Sequence, residues 1–190
     1  PFSITSQIKN PTWRILFQGP GSGISLKDGT LVFPAQYWDS SKMPYSTLVY
    51  SKDHGVTWHC EGVGAKSNTT ESQVVELSNG SLMLNMRDNR GGFRSVAISN
   101  DLGKTWLEHP TSFNTLIDPI CQASLIRTKL KIKGRLRDVL VFSNPNDAKD
   151  RKNITIKISL DEGLTWPKEL QHLVHASESN GYSSLVAIDH

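Results

Sequence analysis

Four side chains stand where chemistry could be done. Glu71 opens Glu71-Ser72-Gln73-Val74-Val75-Glu76-Leu77, and Arg87 ends Leu84-Asn85-Met86-Arg87. Arg151 follows the Ser143-Asn144-Pro145 loop, and Tyr182 sits in Gly181-Tyr182-Ser183-Ser184-Leu185. A carboxylate can take a proton, a phenol can attack once its proton is removed, and an arginine fork can hold a carboxylate. Singly, each has a plainer reading. Tyr182 reads as a core or rim aromatic, Glu71 as an exposed strand start, and Arg151 as part of the polar loop Asp147-Ala148-Lys149-Asp150-Arg151-Lys152. Arg87 has rivals in Arg90 and Arg94, each of which reads alone as a solvated charge.

The elements that must position these groups carry an internal repeat. Ser-x-Asp-x-Gly-x-Thr-Trp occurs at Ser51–Trp58, Ser99–Trp106 and Ser159–Trp166, at separations of 48 and 60 residues. Each copy follows an alternating run: Ser46-Thr47-Leu48-Val49-Tyr50, Arg94-Ser95-Val96-Ala97-Ile98 and Ile154-Thr155-Ile156-Lys157-Ile158. The Asp side chain accepts hydrogen bonds from the backbone just ahead of it, Gly supplies a positive φ, and Trp brings an apolar ring to the body of the unit. Three equivalent turns in three equivalent units are structural devices, not three catalytic centres. They also lack the run of oxygen ligands that calcium requires.

β-rich runs and turn signals alternate along the chain, and no long amphipathic helix is readable. Asp28-Gly29 and Asn79-Gly80 fall between the first and second strand candidates of their units, as hairpin turns do. Four-stranded antiparallel units repeated at this length predict an all-β chain of propeller blades. A β-sandwich would leave the recurrence of one turn unexplained. The blades are expected over roughly 13–62, 71–110 and 118–174, with the start of the next over 181–190. Three blades and a start do not close a ring, so the chain reads as part of a propeller whose remainder lies elsewhere.

Composition excludes more than it selects. A net charge of +3 over 190 residues, with no run of five or more basic residues, gives no case for nucleic acid as a partner. No stretch reads as a membrane span or signal peptide. Cys60 and Cys121 lie in strand-like segments and read as buried free thiols. The six histidines show no metal-ligand spacing, His172 with His175 included, and Gly19-Pro20-Gly21-Ser22-Gly23 lacks the ending of a phosphate loop.

Three repeated turns, joined in order by the Glu-x-Gln-Val, Asn-x-Arg, Arg-before-turn and Gly-Tyr-Ser-Ser-Leu segments, resemble the sialidase (neuraminidase) family of six-bladed propellers. The resemblance runs from the Gly19-Pro20-Gly21 loop to the end of the chain. It implies Tyr182 as nucleophile and Glu71 as the base that takes its proton. It also implies Arg87 and Arg151 as two of three arginines on the substrate carboxylate, with Gln122 near the sugar pocket. Sialic acid carries a carboxylate on its anomeric carbon, which would repel a carboxylate nucleophile but not a neutral phenol. Tyrosine ordinarily titrates near 10 and needs a base to attack. The implied reaction is retaining hydrolysis of terminal sialic acid from glycoproteins, glycolipids and oligosaccharides, with no metal or organic cofactor.

The family's first triad arginine and its aspartate acid/base have no match here, and the opening Pro1-Phe2-Ser3-Ile4 does not supply them. The resemblance therefore implies an N-terminal part of the same propeller outside this chain, without which the chain is expected to be inactive. Two other readings stay open: a trans-sialidase passing the sialyl group to another sugar, and a non-catalytic carbohydrate-binding propeller. Compartment is not fixed; a bacterial source would favour secretion or the periplasm.

Overall fold

Alternating apolar positions and Asx-Gly turns make this chain a series of antiparallel ribbons. The structure is a computed structural model and describes residues 2–188. After a one-turn helix α1 (Thr5–Ile8) come β1 (Ile15–Gln18), β2 (Ile24–Ser25), β3 (Leu31–Trp38) and β4 (Pro44–Ser51). Then follow β5 (Thr69–Glu76), β6 (Leu82–Asp88), β7 (Gly92–Phe93), β8 (Ser95–Ser99), β9 (Leu107–Glu108) and β10 (Ile117–Asp118). The last group is β11 (Ser124–Ile132), β12 (Arg135–Pro145), β13 (Ile154–Ser159) and β14 (Gln171–His175).

Two sheets run in simple chain order, β5-β6-β8-β9 and β11-β12-β13-β14. The first sheet reaches four strands differently. β1 and β2 pair with opposite ends of β3 on the same side, so its inner strand is split by the Gly19–Gly23 loop. Its outer position is reduced to two isolated bridges on β4, Tyr50 with His59 and Tyr45 with Ser67. Residues 182–188, read from sequence as a strand, form none among the described residues. They are held by side chains, as described below. Residues 189–190, the end of the expected fourth unit, lie outside the described residues, as does Pro1.

Period-two alternation sends β5, β6 and β8 of the middle sheet into two cores. Val74, Leu82, Leu84, Met86 and Ala97 meet Val32, Leu48 and Tyr50 of the first sheet. Val75, Met83 and Val96 meet Leu125, Leu140 and Phe142 of the third. The tryptophans of the repeated turns seal these seams: Trp106 packs on the first core and Trp166 on the second. Trp106 Nε1 also donates to the Val63 carbonyl at 3.3 Å.

The three turns share one bonding scheme. Asp53, Asp101 and Asp161 each accept the backbone N–H of the threonine four residues on, at 2.8, 2.9 and 2.9 Å. They also accept its hydroxyl, at 2.6, 2.6 and 2.5 Å. The bonds from Thr57 hold the Asp53 carboxyl down at about 2. The residue before each glycine is left-handed too: His54, Leu102 and Glu162 have φ of 57°, 58° and 57°. The carboxylate and the preceding serine satisfy enough of the loop's backbone to hold these non-glycine residues in that region. The sheets turn about a common inner edge without closing, which makes the chain part of a β-propeller.

Candidate active site

Glu71 and Arg87 come from paired strands of the middle sheet. β5 and β6 run antiparallel with a register shift between Thr69 and Ser72, which lies beside Glu71. Arg87 Nη1 donates to Glu71 Oε2 at 2.7 Å. Tyr182 arrives from the far end of the chain, and its hydroxyl donates to Glu71 Oε1. Arg87 Nη1 also reaches the Tyr182 oxygen at 3.4 Å. The Arg151 guanidinium stands over the Tyr182 ring, 5.6 Å from its centroid. Nη1 and Nη2 of Arg151 donate to the carbonyls of Asn180 at 3.1 Å and Ile120 at 3.3 Å.

Gln122 is buried, and both ends of its amide hold the strand-like tail. Nε2 donates to the Ser183 carbonyl and Oε1 accepts the Ser183 N–H, each at 3.0 Å. Ser183 Oγ donates to the Ser143 carbonyl at 3.1 Å, and Leu185 N–H donates to Ser124 Oγ at 3.0 Å. Two backbone-like bonds from one side chain thus stand in for a sheet ladder and set Tyr182 against Glu71. Gly181 makes the approach feasible. Its φ is +84°, and a Cβ there would lie 2.7 Å from Cys121 Sγ.

Of the five residues singled out in the sequence, Glu71, Arg87, Tyr182 and Arg151 are linked by direct contacts, and Gln122 joins them through Ser183. Burial raises the pKa of Tyr182, and its bond to Glu71 raises it further, so the phenol stays protonated at neutral pH. Burial opposes the Arg87 charge, but the bond and charge of Glu71 outweigh it and the pKa rises. Arg87 Nε is buried without a partner among the described residues. Glu71 and Arg87 line one recess of about 430 Å³, together with Gln36 and Trp38. Tyr182 lines another of about 310 Å³ with Gln73 and Gln122. A larger recess, about 580 Å³, runs along the inner strands beside Ile24, Val74 and Leu125, and none of the five groups lines it. No group of three or more potential metal ligands exists among the described residues. The arginines suit an organic anion.

A buried polar network that the sequence did not announce lies beneath the site. Arg94, read from sequence as a solvated charge, is fully buried. Its Nε donates to Asn85 Oδ1 at 2.8 Å and its Nη1 to the Cys121 carbonyl at 2.5 Å. Nη1 also lies 3.6 Å from Asp118 Oδ1. Asn144 donates to the same Asp118 oxygen at 3.2 Å and accepts Lys157 Nζ at 3.4 Å. Arg90 instead forks onto Asp88, with two bonds of 2.7 Å. Cys121 is buried and Cys60 half-buried, and both are free.

A model of the BNR repeat-like domain family matches residues 2–186. A sialidase of Bacteroides fragilis is 53% identical over 189 residues, covering 100% of this chain and 35% of the relative. The chain belongs to the sialidase family. Among solved structures, the Hadza microbial sialidase Hz136 superposes with a TM-score of 0.93 at 51% identity, over 100% of this chain and 36% of that one. A mutant of Trypanosoma rangeli sialidase displaying trans-sialidase activity superposes with a TM-score of 0.81 at 25% identity, over 100% and 31%. The chain thus spans about a third of the sialidases it matches, and its three sheets correspond to part of a sialidase propeller.

Proposed function

We propose that this chain carries the nucleophile side of an exo-α-sialidase site that removes terminal sialic acid from glycoconjugates with retention. The carrying observation is the contact between Tyr182, Glu71 and Arg87. Tyr182 Oη attacks the anomeric carbon while its proton passes to Glu71 Oε1. The bond to the aglycone oxygen breaks, and that oxygen takes a proton from an acid outside residues 2–188. A covalent glycosyl–tyrosine intermediate, an aryl ketoside, forms. Water then attacks the same carbon and gives its proton to the acid that protonated the aglycone, the Tyr182 oxygen leaves and recovers its proton from Glu71, and sialic acid departs with its configuration retained.

Arg87 and Arg151 hold the substrate carboxylate in this reading. Arg87 also places a positive charge 3.4 Å from the oxygen that gains charge as the phenol ionises, favouring attack. The substrates are sialylated glycans of glycoproteins, glycolipids or free oligosaccharides.

A transferase reading is favoured by one observation, the likeness to the Trypanosoma rangeli sialidase mutant displaying trans-sialidase activity. Sialyl-lactose formed in excess lactose would select it over hydrolysis. A purely carbohydrate-binding propeller would not need the Tyr182–Glu71 bond.

The test is release of a fluorescent aglycone from a sialoside by the complete protein and by its Tyr182→Phe form. Turnover by the parent with loss of at least about 10³-fold in the variant supports the reading. Comparable turnover by both forms would remove Tyr182 from the reaction.

A further inference from the structure

The innermost hairpin of the third sheet overruns its sheet. β11 and β12 pair from Ser124↔Ser143 to Ile132↔Arg135. β12 pairs with β13 only from Leu140↔Ser159 to Pro145↔Ile154. Beyond Leu140 a bare two-stranded ribbon projects. The equivalent hairpin of the middle sheet has no such projection: β5–β6 pairing and β6–β8 pairing both end at Leu82.

The ribbon is strongly basic. Residues 129–138 hold Lys129, Lys131, Lys133, Arg135 and Arg137 against one acid, Asp138. The whole chain has 21 cations and 18 acids, so outside these ten residues acids exceed cations by one. All five cations are exposed, and none is in an ion pair among the described residues. Asp138 lies 3.8 Å from Arg127, which also pairs with Glu162 at 2.8 Å.

An isolated ribbon is marginal, and like charges across it weaken it further. The register avoids that opposition: Lys129 faces Asp138, Lys131 faces Leu136, Arg137 faces Leu130 and Arg135 faces Ile132. The cations are consequently split between both faces. Lys129 and Lys131 lie on one face, about 7 Å apart, and Arg135 and Arg137 on the other. A flat lipid surface would meet only one face, whereas a flexible linear polyanion can follow both. The ribbon has no aromatic side chain on which nucleobases could stack. It also lies at the far end of β11 from Ser124, whose hydroxyl holds the Tyr182 segment, about 27 Å away along the strand.

We propose that the ribbon is a docking arm for a linear glycan bearing many carboxylates. It would hold such a polymer to the protein while chain ends reach the Tyr182 site. The choice of glycan rests on the sialidase reading above; the existence of a polyanion arm rests on the ribbon alone.

The test is binding of the complete protein to immobilised polysialic acid, in a Tyr182→Phe background that leaves the polymer intact. The comparison forms carry Lys129→Gln, Lys131→Gln, Lys133→Gln, Arg135→Gln and Arg137→Gln together, or an Asn-Gly turn in place of residues 129–138. That turn joins Thr128 and Val139, which already pair. At about 50 mM salt both forms should bind at least about tenfold more weakly than the parent, and the parent's binding should fall more steeply with salt. In the Tyr182 background, hydrolysis of a small fluorogenic sialoside should be unchanged by either arm alteration. Equal polysialate binding by parent and arm variants would overturn the inference. Equal or tighter arm-dependent binding of single-stranded DNA or anionic vesicles would overturn the glycan assignment. Failure of the sialidase reading would appear separately, as sialoside turnover that ignores Tyr182→Phe.

Discussion

Tyr182 and Glu71 are 111 residues apart in the chain, yet the phenol donates directly to Oε1 of the carboxylate while Oε2 takes Arg87 at 2.7 Å. The two carboxylate oxygens therefore divide the work. One faces the phenolic proton that moves in the proposed reaction, and the other faces a fixed positive charge. This pairing is complete before any substrate arrives.

Glu71→Gln tests that division. The amide fills the same space and can still accept a hydrogen bond, but it cannot take the phenolic proton. The expected result is a fall in kcat/KM of about 10²- to 10⁴-fold with the fold retained. Steady-state kinetics on an aryl sialoside, beside a thermal melt, would measure it. A variant within about threefold of the parent would remove Glu71 from proton transfer.

Gln122→Ala separates holding the chain from touching the sugar. Both amide atoms of Gln122 are engaged on the Ser183 backbone at 3.0 Å. Loss of that clamp lets Tyr182 drift from Glu71, and small misplacements are expensive in rate. A fall of about 10- to 100-fold in kcat with KM within about threefold is expected. A rise in KM at constant kcat would instead mean that Gln122 acts by binding substrate.

The repeated turns and the antiparallel blades were legible in the sequence, as were the segments that carry the candidate site residues, because each is tied to a local motif. Glu71, Arg87, Arg151 and Tyr182 sit in short segments whose order, together with the three repeated turns, pointed to one family. What lay hidden depends on contacts distant in sequence. Arg94 reads as a surface charge until Asn85, Asp118 and Cys121 close around it. Residues 182–188 carry a strand's alternation but lack a neighbouring strand among the described residues, so side chains of Gln122 and Ser124 hold them instead. The basic ribbon was missed because its cations alternate with other residues and form no contiguous run.

Gly181→Ala should damage stability and activity together. The residue sits at φ +84°, and a methyl there would come within 2.7 Å of Cys121 Sγ and 3.1 Å of both Arg151 Cδ and Pro145 Cγ. The left-handed backbone alone costs a side chain about 1–2 kcal/mol. A drop of several degrees in melting temperature is expected, with loss of turnover as Tyr182 is displaced. Adding Cys121→Ala should lessen the stability effect of Gly181→Ala in a double-mutant cycle, since it removes the nearest contact. Strict additivity would mean that Cys121 does not confine this turn.

Lys157 gives a pH signature to the network beneath the site. Its side chain is 3% exposed, with Nζ 3.4 Å from Asn144 Oδ1 and 5.7 Å from the Phe142 ring centre. Burial pulls its pKa from 10.5 to about 8; Asp118 opposes that shift and Arg94 adds to it. The unfolded chain thus holds this proton more tightly than the folded one. Below pH 8 both states are protonated, and the buried cation is a constant penalty. Between about pH 8 and 10.5 the folded chain sheds the proton while the unfolded chain keeps it. The contribution of Lys157 to stability therefore rises with pH through that window, by about 3 kcal/mol in total. Lys157→Met removes both the penalty and the slope, leaving Asp118 to balance Arg94 alone. Urea midpoints from pH 7 to 10.5 should show the variant more stable at pH 7 and the difference shrinking as pH rises. A constant difference across that range would show that Lys157 does not titrate there.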